Sequence, residues 1–115
     1  MSIVRHEPGP ILSLAVENAN TVYLAGIVAK NLKNDIKGQT AEVLAEIDRL
    51  LAKTGTSKSK LLTANIWVTD IRNRAPMNEI WTAWVDPKNL PVRACVEAKL
   101  AEPAGLVEIM VTAAK

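Results

Sequence analysis

The C-terminal segment from Pro91 to Lys115 constrains the fold most, because apolar and polar residues alternate in two stretches of it. The apolar positions are Val92, Ala94, Val96 and Ala98 in the first stretch and Val107, Ile109, Val111 and Ala113 in the second. A period of two predicts two strands, each with one apolar face. Faces of small aliphatic residues suit a sheet covered by helices. Arg93 and Glu108 then fall on the other face of their strands, so both are predicted on one open face of a shared sheet.

The rest of the chain predicts three strands, a helix, a strand and a second helix before this segment. The predicted strands are Ile3–His6, Ile11–Glu17, Thr21–Ile27 and Leu61–Val68, and the helices are Gln39–Thr54 and Ala75–Val85. Residues 30–38 are predicted to form a polar loop. Each helix has a single apolar stripe, so both should cover one face of one mixed sheet. The predicted class is therefore α+β, in the order β-β-β-α-β-α-β-β.

Two features of the predicted sheet indicate possible contacts with a ligand or with another molecule. Gly26 lies near the end of the third strand, where a glycine marks a bulge or bend, or a place where a ligand approaches the backbone. The sheet face away from the helices carries Thr63, Asn65, Trp67 and Met110. A half-apolar, uncovered face usually contacts another molecule.

Length and composition exclude several classes of protein. A chain of 115 residues is expected to form one domain, 1–115, with a formal net charge of +2. Its longest basic run is the loose Lys58-Ser59-Lys60, so no nucleic-acid partner is expected. One cysteine and one histidine provide neither a disulfide nor a His/Cys metal site. No apolar run approaches the roughly 18 residues of a membrane span, and the first residues lack a signal-peptide core. A cytoplasmic protein without metal is expected.

The C-terminal segment also resembles a known signature. The run Pro91-Val92-Arg93-Ala94-Cys95-Val96-Glu97, followed by Leu100, Pro103 and Val107-Glu108-Ile109, is similar to that of the RidA/YjgF family of imine and enamine deaminases. The resemblance implies a chorismate-mutase-like fold and a homotrimer with sites between subunits. It also implies cofactor-independent hydrolysis of reactive 2-imino or enamine acids to 2-keto acids and ammonia. The implied small-molecule partner is an imino acid or another carboxylate.

The same resemblance assigns roles to individual residues. Arg93 would hold the substrate carboxylate, and Glu108 would position or activate a water molecule. The backbone of Gly26 and the backbone N–H of Cys95 would contact the ligand, and Asn78 of the second helix would lie near the cleft. Each role has a structural alternative. Arg93 and Glu108 could form a surface ion pair, with each other or with other side chains.

The remaining candidate residues are better explained by structural roles than by roles in catalysis. Cys95 is more plausible as a half-buried thiol than as a nucleophile, because no histidine is placed to activate it. Trp81 and Trp84 lie on the apolar stripe of their helix and are expected in the core. Glu97 shares the Arg93 face but lies toward the end of its strand, and it is interpreted as structural.

One segment departs from the family pattern. Family deaminases carry a tyrosine in a Gly-Pro-Tyr-Ser segment, whereas this chain has Pro10-Ile11-Leu12-Ser13. The resemblance therefore implies a more apolar pocket wall here. Two alternatives stay open: a related hydrolytic deaminase acting on a different imine or enamine, and a non-enzymatic trimer that binds small ligands or proteins. Ribonuclease activity is also linked to the family, but this chain has no basic patch that would support it.

Overall fold

A computed structural model describes residues 2–115 as one mixed sheet with two helices. The strands are Val4–Pro8 (β1), Ser13–Asn18 (β2), Thr21–Leu24 (β3), Ile27–Val28 (β4), Leu61–Val68 (β5), Val92–Glu97 (β6) and Val107–Ala114 (β7). The helices are Ile36–Lys53 (α1) and Arg74–Trp84 (α2). Short 3-10 turns at Lys58–Lys60 and Ile71–Asn73 precede β5 and α2. The predicted α+β class and element order are confirmed, with β4 as an additional short strand.

The sheet has the order β1-β2-β3-β7-β5-β6, and β4 also pairs with β7. Only β5 and β6 are parallel, while the other pairs are antiparallel. The central strand β7 buries every second residue, namely Val107, Ile109, Val111 and Ala113. The apolar stripes of both helices pack against this surface. They consist of Val43, Leu44, Ile47, Leu50 and Leu51 of α1 and of Met77 and Trp81 of α2. The helices therefore cover one sheet face, as the alternation in β7 predicted.

Helix α1 begins earlier than predicted. The sequence placed residues 30–38 in a loop, but the helix starts at Ile36. Asp35 is its N-cap, and its carboxylate accepts a hydrogen bond from the Gly38 amide at 2.9 Å. An aspartate in this position satisfies a backbone donor that the first helical turn leaves free. The polar composition of the segment concealed this helix start.

Gln39 of α1 holds the loop that leads into β7. Its side chain is fully buried. The amide nitrogen donates to the carbonyls of Asn34 and Ala104 at 3.1 and 3.2 Å, and the amide oxygen accepts from the Leu106 amide at 2.8 Å. Because these bonds satisfy both ends of a buried amide, they fix the backbone immediately before Glu108.

The orientation predicted for β6 is wrong. Arg93 is in register with Ala64, which is buried under the helices, so Arg93 lies on the helix side of the sheet. Val92 and Val96 lie on the open face and are 70% and 49% exposed. The physical reason is that β6 is an edge strand, where small apolar residues need not face the core of their own chain. Glu108 is in register with Trp67 and lies on the open face, so the two predicted catalytic residues do not share a face.

Candidate functional site

Gly26 and Glu108 form the first part of the site. Between the pairs Tyr23–Thr112 and Ile27–Ile109, the β3–β4 side contains three residues and the β7 side two, so the chain bulges at Gly26. A Cβ atom at position 26 would overlap the carboxylate of Glu108. The glycine is therefore required for this close approach rather than for a left-handed backbone. The bulge predicted at Gly26 is present, and the group that approaches its backbone within this chain is the Glu108 side chain; contact with a ligand stays a prediction.

Arg93 and Asn78 form the second part, on the helix side of the edge strand β6. The Arg93 guanidinium donates from Nη1 to Oδ1 of Asn78 at 2.7 Å. Its central carbon lies 5.4 Å from the ring centroid of Trp81, an arrangement typical of a cation–π contact. Cys95 lies two residues along the same strand, on the same face, and is half-buried. A cavity of about 380 Å³ borders Asn78, Trp81 and Arg93, and Pro87 and Leu90 also line it.

Sequence reasoning did not assign Trp81 to the site. The indole is almost fully buried, as a core residue should be, and it also supports the guanidinium. A signal was available, because Trp81 follows Asn78 by three positions on α2 and so lies on the same side of the helix. The core and site interpretations of this residue are compatible.

Neither predicted catalytic side chain has an ion-pair partner within residues 2–115. The ion pairs of this part of the chain involve neither Arg93 nor Glu108. An ion pair between them within one chain is excluded by their positions on opposite sheet faces. Glu97 is different, because its carboxylate accepts a hydrogen bond from the Ile71 amide at 2.9 Å. Glu97 is structural, as expected.

A larger cavity of about 520 Å³ adjoins Gly26. It lies between the β4 backbone, the end of the β1–β2 hairpin and α1, with Leu14, Val28 and Lys30 among its lining residues. Val28 is in register with Glu108, so the cavity reaches the strand position beside the glutamate. In residues 2–115, β4 pairs with β7 alone. Its other edge therefore leaves backbone groups free for a ligand.

Charged residues of this cavity are paired with each other. Arg49 donates to both Glu7 and Glu46, and Lys53 donates to Glu7 at 3.0 Å. The hydrogen bonds from Arg49 and Lys53 lower the pKa of Glu7 from 4.5 to about 2. Glu42 is occupied as well, because it accepts the backbone amides of residues 30 and 31. Most charged side chains of this cavity thus already have partners, and the rest of its wall is mainly apolar.

The part of the chain from residue 2 to residue 115 contains neither a cluster of metal ligands nor a candidate membrane span. No group of three or more His, Cys, Asp or Glu side chains there is arranged to hold a metal ion. None of the helices in the same range is both long enough and apolar enough to cross a membrane.

Comparisons with known proteins agree with this fold. The family model described as Endoribonuclease L-PSP matches residues 5–115. A RutC family protein of Haemophilus influenzae is 44% identical over 98% of each chain, and the RutC family protein YoaB of Escherichia coli is 43% identical over 99% of each. A YjgF-family crystal structure from Neisseria meningitidis has a TM-score of 0.97 at 43% identity, covering 100% of this chain and 96% of that one.

This chain belongs to the RidA/YjgF family. The match spans nearly the whole length of the chain, so the two parts of the site both lie within the family domain. A family member from Mycobacterium tuberculosis has the same fold at 28% identity, with a TM-score of 0.90 over 99% of this chain and 100% of that one. The RidA/YjgF fold therefore accounts for the mixed sheet with both helices on one face.

Proposed function

We propose that this protein hydrolyses reactive 2-imino acids, or the enamines in equilibrium with them, to 2-keto acids and ammonia. The observation that carries the proposal is the environment of Arg93. Its guanidinium contacts a neutral amide and an indole ring, and no carboxylate within residues 2–115 forms an ion pair with it. A cation held in place by neutral groups is available to bind an anion. A substrate carboxylate suits it, because the planar guanidinium can donate to both oxygens.

The second group required is a base for water. Glu108 is half-buried next to the Gly26 backbone and has no ion pair among residues 2–115. In the proposed reaction Glu108 accepts a proton from a water molecule as the water oxygen bonds to the imine carbon. The C=N π electrons move to nitrogen, which is protonated. In the resulting amino alcohol the hydroxyl proton passes to the amino nitrogen as the C–N bond breaks, so that one imine and one water give one keto acid and one ammonia.

The two groups belong to different copies of the chain in this proposal. Arg93 and Glu108 lie on opposite faces of one sheet, so one molecule cannot direct both at the same small substrate. The open face is half-apolar, with Tyr23, Val92, Val96 and Met110 exposed. Packing these open faces together in a homotrimer would bury them and bring Arg93, Asn78 and Cys95 of one copy toward Gly26 and Glu108 of the next. The number three comes from the family resemblance.

The test is hydrolysis of 2-imino acids made in situ by an amino-acid oxidase, with semicarbazide as a competing trap. Arg93→Lys and Glu108→Gln are compared with the wild type. Arg74→Lys and Glu102→Gln are matched controls, since both residues are exposed and lie outside the two groups. We expect Arg93→Lys to raise KM by about ten- to a hundredfold, because a charge-assisted contact contributes roughly 1.5–3 kcal/mol. We expect Glu108→Gln to lower kcat by about 10²-fold.

Other outcomes identify the rivals. Unchanged kinetics in stable Arg93→Lys and Glu108→Gln assemblies would rule out the mechanism. Acceleration of enamine but not imine hydrolysis would assign the protein to the related deaminase. Binding of 2-keto acids without any acceleration would leave a small-ligand-binding module.

A further inference from the structure

Arg93 is held by neutral groups, whereas two other arginines of this chain are held by carboxylates. Arg49 donates to two glutamate side chains, and Arg72 donates to Asp70. The Arg93 guanidinium donates to an asparagine oxygen and lies over an indole ring, and it has no ion pair among residues 2–115. Arg93 is thus oriented without a carboxylate partner from the described chain.

Both neutral contacts of Arg93 come from helix α2. Asn78 and Trp81 are three positions apart, so they lie on the same side of this helix. The one acidic residue of α2, Glu79, forms an ion pair with Lys37 of α1 instead. Helix α2 therefore presents an amide and an aromatic ring to the guanidinium, while its carboxylate is occupied by a cation of the other helix.

The indole of Trp81 is a rigid support for this cation. The side chain is 6% exposed, and its ring centroid lies 5.4 Å from that of Trp84, with the two planes at 51°. The central carbon of the Arg93 guanidinium lies 5.4 Å from the same indole centroid. Tryptophan is the strongest aromatic partner in cation–π contacts. A guanidinium held against a fixed ring loses less conformational entropy when it binds an anion.

The contact with Trp81 leaves the guanidinium donors available to a ligand. A guanidinium has five N–H donors, and within residues 2–115 Nη1 is the one nitrogen of Arg93 that donates a hydrogen bond, to Asn78. The indole attracts the positive charge electrostatically and needs none of these hydrogen bonds. Arg93 can therefore keep its contact with the ring while it donates to both oxygens of a carboxylate.

We infer that Trp81 is a positioning residue, which sets the affinity of the site for the substrate carboxylate through its cation–π contact with Arg93. This inference rests on the proposed function. The indole orients the guanidinium and leaves its charge to the substrate, whereas a carboxylate in the same place would compete with the substrate. Because Trp81 acts on the group that binds the carboxylate, it affects substrate binding and not the chemical step at Glu108.

The test measures kcat and KM of Trp81→Leu and Trp81→Phe with the alanine-derived imine. Leucine removes the ring, so KM should rise about two- to fivefold, the size of a cation–π contact at an exposed arginine. Phenylalanine has a weaker π face, so its KM should lie between those of Trp81→Leu and the wild type. The value of kcat should stay within about twofold, because the lost interaction is equal in the ground state and the transition state.

Trp84 offers a matched control on the same helix. The Lys58 ammonium lies 5.4 Å from its ring centroid, so it takes part in a similar contact, but it lines a different cavity from Arg93. Trp84→Leu and Trp84→Phe should leave KM at the wild-type value. A lower melting temperature with unchanged KM in Trp81→Leu would show a purely structural role and overturn the inference. So would an equal rise of KM in Trp84→Leu.

Fluorinated tryptophan separates the electrostatic effect from packing, because Trp81 is also a core residue. Fluorine withdraws electron density from the ring face and changes the shape of the side chain little, so the cation–π contact weakens. Protein made with mono-, di- and trifluorotryptophan should show a stepwise rise of KM. The same replacement in Trp81→Phe labels only Trp67 and Trp84, and KM should then not respond. An unchanged KM in the fluorinated wild type, or a rise that fluorinated Trp81→Phe retains, would overturn the inference.

A binding measurement separates this inference from the proposed reaction. If no imine is hydrolysed faster, the reaction proposal fails, and calorimetry with pyruvate decides the role of Trp81, since a 2-keto acid has the same carboxylate. Weaker binding in Trp81→Leu, with wild-type binding in Trp84→Leu, would support the inference. Equal binding in the wild type and Trp81→Leu, or no detectable binding, would refute it.

Discussion

Replacing Gly26 by alanine should separate activity from stability in this protein. The added methyl group overlaps the Glu108 carboxylate, which is the end of a flexible side chain. The backbone at Gly26 does not have a positive φ, so alanine fits it without backbone strain. The carboxylate is therefore the group that moves. Glu108 turns away from the position in which it would hold water.

The contact between position 26 and the Glu108 carboxylate determines how far Gly26→Ala should change the stability and the turnover. Without strain, Gly→Ala alters the free energy of unfolding by about 0.4–1 kcal/mol in the favourable direction, because the unfolded chain loses freedom. Moving the carboxylate opposes this gain, so the net change should stay within about 1 kcal/mol and the melting temperature within about 5 °C. Displacement of a catalytic group by about 1 Å lowers turnover by about 10²-fold. Gly26→Ala should therefore be stable and nearly inactive.

The assay measures kcat, KM and melting temperature for Gly26→Ala, Glu108→Gln and the double variant. Because both changes act on the same carboxylate, the double variant should be no slower than Glu108→Gln alone. Wild-type turnover in Gly26→Ala would refute this reasoning. So would an additive loss in the double variant, since the two positions would then act independently.

Four further changes have distinct expected results. Light scattering should give the mass of three chains, and Met110→Glu on the open face should shift the assembly toward single chains; a single-chain mass for the wild type would contradict the intersubunit site. Cys95→Ala should keep activity within about threefold, because no histidine activates the thiol, and a loss as large as that of Arg93→Lys would show that the sulfur takes part. Gln39→Ala should lower the free energy of unfolding by about 1–3 kcal/mol in denaturant titrations, because the half-buried Leu106 amide loses its acceptor; a loss within experimental error would mean that this amide finds another partner. The pKa of Glu7 is lowered from 4.5 to about 2, so its contribution to stability is complete above pH 4.5 and is lost as pH falls toward 2; Glu7→Gln should flatten stability over this range, and an unchanged slope would exclude Glu7 as the cause.

The comparison of β6 and β7 shows which predictions an alternating pattern supports. In β7 the two sets differ strongly, and the apolar set is buried under both helices. In β6 the small apolar set looked equally suited to the core, but it lies on the open face. A pattern of period two determines that two faces differ, while the side on which each face lies depends on neighbouring strands. For this reason the alternation within β6 alone could not predict on which face of the sheet Arg93 lies.

Predictions from short sequence patterns were correct where interactions between residues close in the sequence determine the structure. The amphipathic stripes of α1 and α2 and the alternation in β7 follow from the chain's own periodicity, and they determined the α+β class. The RidA/YjgF family was indicated separately, by the resemblance of the residues around Arg93 and Glu108 to the family signature. The bulge at Gly26 was one of the readings that a strand glycine supports. The start of α1 was missed, because the capping bond of Asp35 extends the helix into a polar segment.

Contacts between distant segments were decided only by the tertiary structure. Asn78 receives the Arg93 guanidinium because α2 packs beside β6, and Gly26 meets Glu108 because β4 pairs with β7. The sequence by itself named these four residues and the fold that contains them. It could not group them into two pairs on opposite sides of the sheet, because strand order and register depend on packing across the whole chain and not on any one segment.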